Sequence, residues 1–374
     1  MKVAIVCDWL TNVGGAEKVL LAVHKMYPKA PIYTSKYSPK GIDWFNDADV
    51  RTGWLQVFPA RLRRLIGPLR QRWFERLDLS AYDLVISVTG AEAKAVKCEN
   101  KKMGQRAVHV SSCHVPTQYY WQMYDDYVRD PGFGVLNPVV RAAFKLLVRG
   151  QRKKDFAAAG RVDQFVTISA YAKEMIKKYY KRDAVVVWPP VETEIFRKVS
   201  KTDSAELHSS YYVVSSRQVT WKRLDLAVSA CKELGRELLV VGEGPEHERL
   251  VALAAGAKYI KFLPLQTREE LAKILAGAQG YIFPSLEPFG IAPVEALASG
   301  CPVIAFGEGG AMDYVKDGVN GVVFPKQTVA SVKTAILRFE KMKFDESKVV
   351  KSAEKFGAKR FEDDLRRVID EMVA

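Results

Sequence analysis

The segment from position 284 to position 300 contains the strongest indication of chemistry in the sequence. Glu287 and Glu295 are separated by seven residues, and Gly290 lies between them. The pattern predicts a strand that ends at Phe283, then a loop, then a helix over about 292–299. Glycine allows a close backbone approach to a ligand, and the N–H groups at a helix start attract anions. The segment thus offers two acids and amide donors, although two solvated glutamates beside an ordinary helix cap would give the same pattern.

The Glu-x7-Glu spacing, with Pro-Phe-Gly inside it, resembles the signature of the retaining glycosyltransferases of family 4, which have the GT-B fold. The resemblance implies that Glu295 binds ribose hydroxyls and that Glu287 lies beside the transferred sugar. It also implies that the amides of Phe289, Gly290 and Ile291 meet sugar hydroxyls and phosphate.

Two cations, Arg217 and Lys222, follow a predicted strand of the second half of the chain. They match the arginine and lysine of the family's strand-loop-helix pattern, with the lysine placed at the start of the helix. A departing diphosphate needs fixed positive charge where negative charge develops. Arginine supplies a planar fork and lysine a point charge. Without the glutamate motif, two surface cations would be an equally good interpretation.

The first predicted strand leads into a turn that contains Gly14 and Gly15. Neither the dinucleotide fingerprint nor a P-loop is present, so the turn favours only backbone contact with a phosphate or sugar, or tight packing. By the resemblance, this loop faces the donor.

His114 lies in a loop after another predicted strand, where parallel sheets build their sites. The stretch 111–121 resembles an element of a mannosyltransferase-like subgroup, from which Val115 and Gln118 depart. The resemblance implies that His114 touches the transferred hexose. Gly242 and Leu263 end two further strands and resemble the family's loops around the nucleoside; Pro264 beside them has no N–H donor.

Short apolar runs alternate with amphipathic helical stretches in both halves of the chain, which is typical of parallel strands joined by helices. In the first half, strands are predicted at 3–7, 84–88, 107–111, 165–168 and 185–187, and helices at 16–26 and 169–180. In the second half, strands are predicted at 211–215, 238–242, 260–263, 280–284, 303–305 and 321–324. This alternation predicts an α/β fold, and the resemblance to family 4 implies that it is of the GT-B type. It consists of two facing Rossmann-like domains with a deep interdomain cleft, and of a C-terminal helix that crosses back to the first domain.

The domain boundaries follow from the break in this alternation. Residues 1–195 are expected to form an acceptor-side domain and residues 196–354 a nucleotide-sugar-binding domain, with a polar linker over 198–208. Residues 355–374 are expected to form a helix that packs on the first domain.

Composition limits the partners. The formal net charge of +14 implies an anionic partner, and no apolar run reaches the roughly 20 residues that a membrane-spanning helix needs. The segments 61–74 and 145–154 are basic and amphipathic, as in helices at a membrane surface, so contact with an anionic membrane is expected. Nucleic-acid binding is not expected, because no recognition fold accompanies the charge.

The start of the chain is predicted to be a buried strand rather than a signal peptide, because Asp8 interrupts its apolar run.

The five cysteines are scattered and form no CxxC pair, so a disulfide framework and a structural zinc site are not expected. Cys113 beside His114 suggests a nucleophile, but no third orienting group is visible. The sequence favours a reducing, cytoplasmic location, peripheral at the inner face of the cell membrane.

The resemblance implies that the protein is a retaining, metal-independent hexosyltransferase. The donor would be a nucleoside-diphosphate sugar, with GDP-mannose favoured, and the acceptor a glycan or a lipid-linked glycan. No cofactor and no metal are expected, because Arg217, Lys222 and a helix terminus would replace a divalent ion. Two alternatives remain open: a GT-B-like sugar-nucleotide epimerase, and a non-catalytic basic binding module.

Overall fold

The computed structural model describes residues 1–59, 66–99, 106–129, 134, 137–199 and 210–374. Arg61, Arg63 and Arg64 of the first basic segment lie outside the described residues, as do residues 200–208 of the expected linker. The chain forms two compact units. One consists of Met1–Pro189 with Phe361–Ala374, and the other of Pro190–Arg360. The boundary near 189/190 differs by six residues from the boundary at 195/196 that the sequence predicts.

The N-terminal unit contains a parallel sheet with the strand order β3-β2-β1-β4-β5-β6-β7. Its strands are β1 (Val3–Cys7), β2 (Ile32–Thr34), β3 (Val50–Arg51), β4 (Leu84–Thr89), β5 (Val108–Cys113), β6 (Gln164–Thr167) and β7 (Val185–Val186). Its helices are α1 (Gly15–Met26), α2 (Gly67–Phe74), α3 (Tyr124–Arg129), α4 (Asn137–Ala159) and α5 (Ala170–Tyr180).

The C-terminal unit contains a second parallel sheet, in the order β10-β9-β8-β11-β12-β13. Its strands are β8 (Tyr212–Ser215), β9 (Leu238–Val241), β10 (Ile260–Leu263), β11 (Gly280–Phe283), β12 (Val303–Phe306) and β13 (Gly321–Phe324). Its helices are α6 (Thr193–Arg197), α7 (Leu224–Leu234), α8 (His247–Ala254), α9 (Arg268–Gly277), α10 (Ile291–Ala298), α11 (Val329–Phe339) and α12 (Glu346–Ala353).

The last helix, α13 (Ala358–Val373), follows a 3-10 turn at Glu354–Phe356. The buried side chains of α13, such as Phe361 and Leu365, belong to the hydrophobic core that also contains Val3 and Ile5 of β1. Most of this helix is therefore part of the N-terminal unit.

Local sequence explains most element boundaries. Most strands, such as β1, β9 and β12, are continuous apolar runs because both faces of a parallel sheet are covered. Ser169 caps α5 by accepting a hydrogen bond from the Ala172 amide, and Thr267 and Glu270 form a capping box at the start of α9. Every predicted strand is present within two residues of its expected ends. The strands β2 and β3 were not predicted.

Within the described part of the chain, no helix has the length and apolar character needed to cross a membrane.

Candidate functional site

The loop from β11 to α10 has a backbone that only glycine accommodates well. Gly290 precedes α10 with φ of 88°, and a Cβ there would lie 2.6 Å from the Phe283 ring and 2.9 Å from the Tyr314 hydroxyl oxygen. The Tyr314 hydroxyl donates a hydrogen bond of 2.7 Å to the Phe289 carbonyl. The ring of Phe289 is buried, whereas Ile291 is half-buried. Together these contacts fix the path of the amides at residues 289–291.

Glu287 in this loop is held by two partners. Its Oε2 lies 2.5 Å from Nζ of Lys222, and its Oε1 accepts a hydrogen bond of 2.7 Å from the Ser285 hydroxyl. Both charged side chains are largely shielded, with exposed fractions of 21% for Lys222 and 16% for Glu287. The structure therefore brings together a cation and an acid that follow β8 and β11, which are neighbouring strands of one sheet.

Lys222 lies in a 3-10 turn, Thr220–Lys222, and not at the start of the α-helix as expected. Arg223 comes between the turn and α7 with φ of 53°, a left-handed conformation that separates the two. Arg217 is exposed on the same loop, and its guanidinium carbon lies 5.6 Å from the centre of the Trp221 ring. The planar cation is thus presented to solvent on an aromatic support.

Glu295 lies on α10 and is almost completely shielded from water. Its Oε1 is 2.7 Å from Nη1 of Arg268, and only 4% of its side chain is exposed. The two glutamates of the motif are therefore each paired with a different cation. Arg268 was not identified from the sequence, because it lies at the start of α9 among many other charged residues.

Gly242 and Leu263 meet at the ends of β9 and β10. The Gly242 amide donates a hydrogen bond of 2.9 Å to the Leu263 carbonyl. With φ of 116°, Gly242 would place a Cβ 2.4 Å from the Ser216 carbonyl oxygen. The buried Gln218 side chain supports the same loop by donating to the Gly242 carbonyl. The strand ends that carry Arg217, Gly242 and Leu263 therefore form one connected edge of the sheet.

In the N-terminal unit, the carboxylate of Asp8 joins the ends of β1 and β4. It accepts hydrogen bonds from the amides of Gly90, Ala91 and Ala93, at 2.9, 3.0 and 2.8 Å, and from the Thr89 hydroxyl at 2.9 Å. No functional role was predicted for Asp8, because its partners lie far away along the chain. Beyond it, Gly14 precedes α1 in an extended conformation with φ of −163°, and the helix begins at Gly15.

His114 follows β5, and its amide donates a hydrogen bond to the Thr89 carbonyl. Its Nε2 is shielded from water and has no hydrogen-bond partner among the residues that the structure describes. Removal from water lowers the pKa of His114 to about 4, so the ring is neutral near pH 7. A neutral imidazole can donate one hydrogen bond and accept another, but it cannot act as a fixed cation.

Cys113 is buried, its thiol donates to the Val115 carbonyl, and burial raises its pKa to about 12. A thiol that stays protonated at neutral pH is a poor nucleophile, so the structure argues against that alternative. All five cysteines are buried thiols that form no disulfide. No group of three or more potential metal ligands of the His, Cys, Asp or Glu type occurs in the described ranges.

The chain is also similar to known protein families. Residues 196–359 match the family model of the glycosyl transferases group 1. This span covers most of the C-terminal unit, including both glutamates and both cations of the predicted site.

Two curated relatives are similar to parts of the chain. An uncharacterized glycosyltransferase of Methanocaldococcus jannaschii is 25% identical over 178 residues, which is 47% of this chain and 49% of that protein. A D-inositol 3-phosphate glycosyltransferase of a Mycobacterium species is 36% identical over 112 residues, 27% of this chain and 26% of that protein. The chain thus spans about half or less of the length of these relatives.

Among solved structures, Anabaena HepE in complex with UDP matches with a TM-score of 0.72 and 18% identity, over 99% of this chain and 100% of that one. At this identity the likeness concerns the fold alone. It confirms the predicted fold class, GT-B, with two parallel-sheet α/β domains. The mannosyltransferase-like subgroup stays a prediction.

Proposed function

We propose that the chain is a glycosyltransferase that moves a hexose from a nucleoside-diphosphate sugar to a glycan or lipid-linked acceptor, with retention at the anomeric carbon. The group 1 match over residues 196–359 supports the transferase class. The observation that carries the proposal is the placement of Lys222 against Glu287 at 2.5 Å, beside the constrained Gly290 turn.

The proposed reaction needs groups that stabilise the negative charge that develops on the departing diphosphate. The bond between the anomeric carbon and the diphosphate oxygen breaks, the acceptor oxygen bonds to that carbon, and the acceptor hydroxyl gives its proton to the departing diphosphate. Lys222 can donate to a phosphate oxygen while it remains near Glu287, because an ammonium has three donors. Arg217 offers a fork from the same loop, and the amides at the start of α10 face developing negative charge. We infer that these groups replace a divalent cation.

The remaining roles rest on the resemblance. Glu295 would accept hydrogen bonds from the ribose hydroxyls, and Gly242 and Leu263 would meet the nucleoside. His114, neutral and with a shielded Nε2, has the character expected for hydrogen bonding to a sugar hydroxyl. GDP-mannose is the donor favoured by the sequence, whereas the solved structure of HepE contains UDP.

A thermal-shift panel tests the proposal. The protein would be heated with UDP, GDP, ADP, UDP-glucose and GDP-mannose in the presence of EDTA. A ligand at 100 times its Kd stabilises the folded state by about 2.7 kcal/mol, which raises Tm by several degrees. The donor so identified would then be incubated with and without glycan acceptors. We expect a Tm shift with one nucleotide class and acceptor-dependent release of its diphosphate.

Two results would contradict the proposal. The absence of any shift with every nucleotide, together with tight binding to nucleic acid, would favour the basic binding module. Conversion of the donor sugar without an acceptor would favour the epimerase.

We also propose that α4 contacts an anionic membrane that carries the acceptor. This helix is amphipathic, and its exposed face mixes large apolar side chains with cations. Val139 is 72% exposed, Leu146 80% and Phe156 46%, and Lys145 and Arg149 are exposed beside them. Apolar side chains that insert among lipid headgroups, with cations beside them, are typical of helices at a membrane surface.

Vesicle sedimentation tests this second proposal. A cation near an anionic surface contributes about 1 kcal/mol, so the triple variant Lys145, Arg149 and Lys153→Glu should bind anionic vesicles at least about 100-fold more weakly at low salt. The control Lys341, Lys343 and Lys351→Glu makes the same charge change on exposed residues of the C-terminal unit. Equal weakening by both variants, or equal binding to neutral and anionic vesicles, would refute a specific role of α4.

A further inference from the structure

Arg268 holds the carboxylate of Glu295 within a closely packed part of the C-terminal unit. Its Nη1 lies 2.7 Å from Glu295, and its Nη2 lies 3.0 Å from the carboxylate of Glu192. The face of the guanidinium packs on the buried Phe196 ring, with its carbon 4.8 Å from the ring centre. One planar cation is thus fixed by two acids at its edge and by an aromatic ring at its face.

The main chain at Arg268 is also anchored. The preceding residue, Thr267, accepts a hydrogen bond from the Glu270 amide, and the Glu270 carboxylate accepts one of 2.8 Å from the Thr267 amide. This capping box fixes the start of α9, five residues beyond Leu263. The position of the guanidinium is therefore set by both its backbone and its contacts.

The arrangement leaves hydrogen-bonding capacity unused. Nε and Nη2 of Arg268 are shielded from water and have no hydrogen-bond acceptor within the described ranges, since the Nη2 contact with Glu192 is an ion pair outside hydrogen-bond geometry. Buried donors without acceptors are costly and uncommon in folded proteins. Their presence beside a shielded carboxylate distinguishes this pair from an ordinary surface ion pair.

A nearly dehydrated carboxylate is unfavourable unless a cation faces it. Arg268 supplies that cation and pairs with one oxygen of Glu295, which fixes the orientation of the carboxylate. A carboxylate must be ionised and oriented to accept hydrogen bonds from the two vicinal hydroxyls of a ribose. We propose that Arg268 is a positioning residue that sets the preference of the nucleotide site for ribose over 2′-deoxyribose by holding Glu295 in place.

This inference rests on the proposed function, in which Glu295 binds the ribose. The test measures Kd by calorimetry for UDP and GDP and for their 2′-deoxy counterparts, in the unaltered protein and in Arg268→Gln, Arg268→Lys and Glu295→Gln. We expect Arg268→Gln to weaken binding of the ribonucleotide about tenfold, the scale of one charged hydrogen bond, and binding of the 2′-deoxynucleotide less than about twofold. Arg268→Lys, which keeps the charge but loses the fork, should lie between the two.

The matched control is Arg249→Gln. Arg249 is an exposed arginine on α8 of the same unit that pairs with Glu246 just before the helix, so its replacement should change neither affinity. Tm is measured for every variant, because a purely structural role of Arg268 would lower both affinities by the same factor.

The outcomes separate the inference from the proposed function. If Glu295→Gln removes the ribose preference and Arg268→Gln does not, the inference is overturned and the ribose site stands. Equal loss of both affinities in Arg268→Gln also overturns it. If Glu295→Gln leaves the preference unchanged, the placement of the ribose at Glu295 is wrong, and the role of Arg268 falls with it. Failure of the unaltered protein to bind any of these nucleotides would refute the proposed function itself.

Discussion

Replacing Lys222 by glutamine tests whether its pair with Glu287 serves the reaction or only the fold. The Nζ–Oε2 distance is 2.5 Å, and both side chains are less than a quarter exposed. Loss of one preorganised electrostatic stabiliser costs about 2.7–4 kcal/mol in the transition state, so we expect kcat to fall about 100- to 1000-fold.

The same change has a separate effect on stability. Glu287 would lose its cation but keep the hydrogen bond of 2.7 Å from Ser285. A partly shielded acceptor that loses one of its partners costs about 1–3 kcal/mol, so Tm should fall by several degrees. The double variant Lys222→Gln/Glu287→Gln removes both charges and should recover most of the stability, but not the turnover.

The control is Arg223→Gln, which removes a cation from the next position in the chain. Arg223 pairs with Asp225 at 3.2 Å instead of Glu287, so its replacement should leave kcat within about threefold of the unaltered protein. The assay is diphosphate release at saturating donor and acceptor, with Tm measured on the same samples. A kcat for Lys222→Gln within about threefold of the original, or recovery of turnover in the double variant, would refute the electrostatic role.

Three further predictions follow from the same geometry. Gly290→Ala should reduce turnover and lower stability by about 1–3 kcal/mol, because φ of 88° disfavours a side chain and the Cβ would lie 2.6 Å from Phe283. Unchanged turnover in the activity assay and unchanged stability by calorimetry would show that the loop adapts. Activity should persist in excess EDTA, and complete loss that Mg²⁺ restores would show that Arg217 and Lys222 do not suffice. Because burial lowers the pKa of His114 to about 4, the unfolded chain binds its proton first, and stability should fall as pH drops from about 6.5 towards 4. In His114→Gln, Tm should fall less steeply as the pH drops. Part of the pH dependence should remain, because the pKa of His109 is also lowered, to about 3. An unchanged dependence of Tm on pH would refute the lowered pKa of His114.

Much of the secondary structure could be predicted from local pattern. The expected bounds of β1, β10 and β13 agree with the structure. The strands β1 and β13 are largely apolar runs, as expected for strands that are buried on both faces, whereas β10 at the edge of its sheet keeps Lys261 exposed. The strands β2 and β3 are short and contain one aliphatic residue each, so they show no apolar run, and they form because β2 pairs with β1 and β3 pairs with β2. Lys222 was misplaced because nothing in the local residues showed that Arg223 would take a left-handed conformation.

The sequence by itself determined the types and spacing of the site residues: the two glutamates, the glycine between them and the cations after β8. These features can be predicted from the sequence because a turn and a helix start depend on residues that are close together along the chain. Only the tertiary structure decided the partners, Lys222 for Glu287 and Arg268 for Glu295. Those pairs arise because β8 lies beside β11 and because α9 and α10 flank the same sheet, and strand order depends on packing between distant segments. The sequence shows where the cations are, but which acid each cation pairs with depends on how the strands and helices pack together.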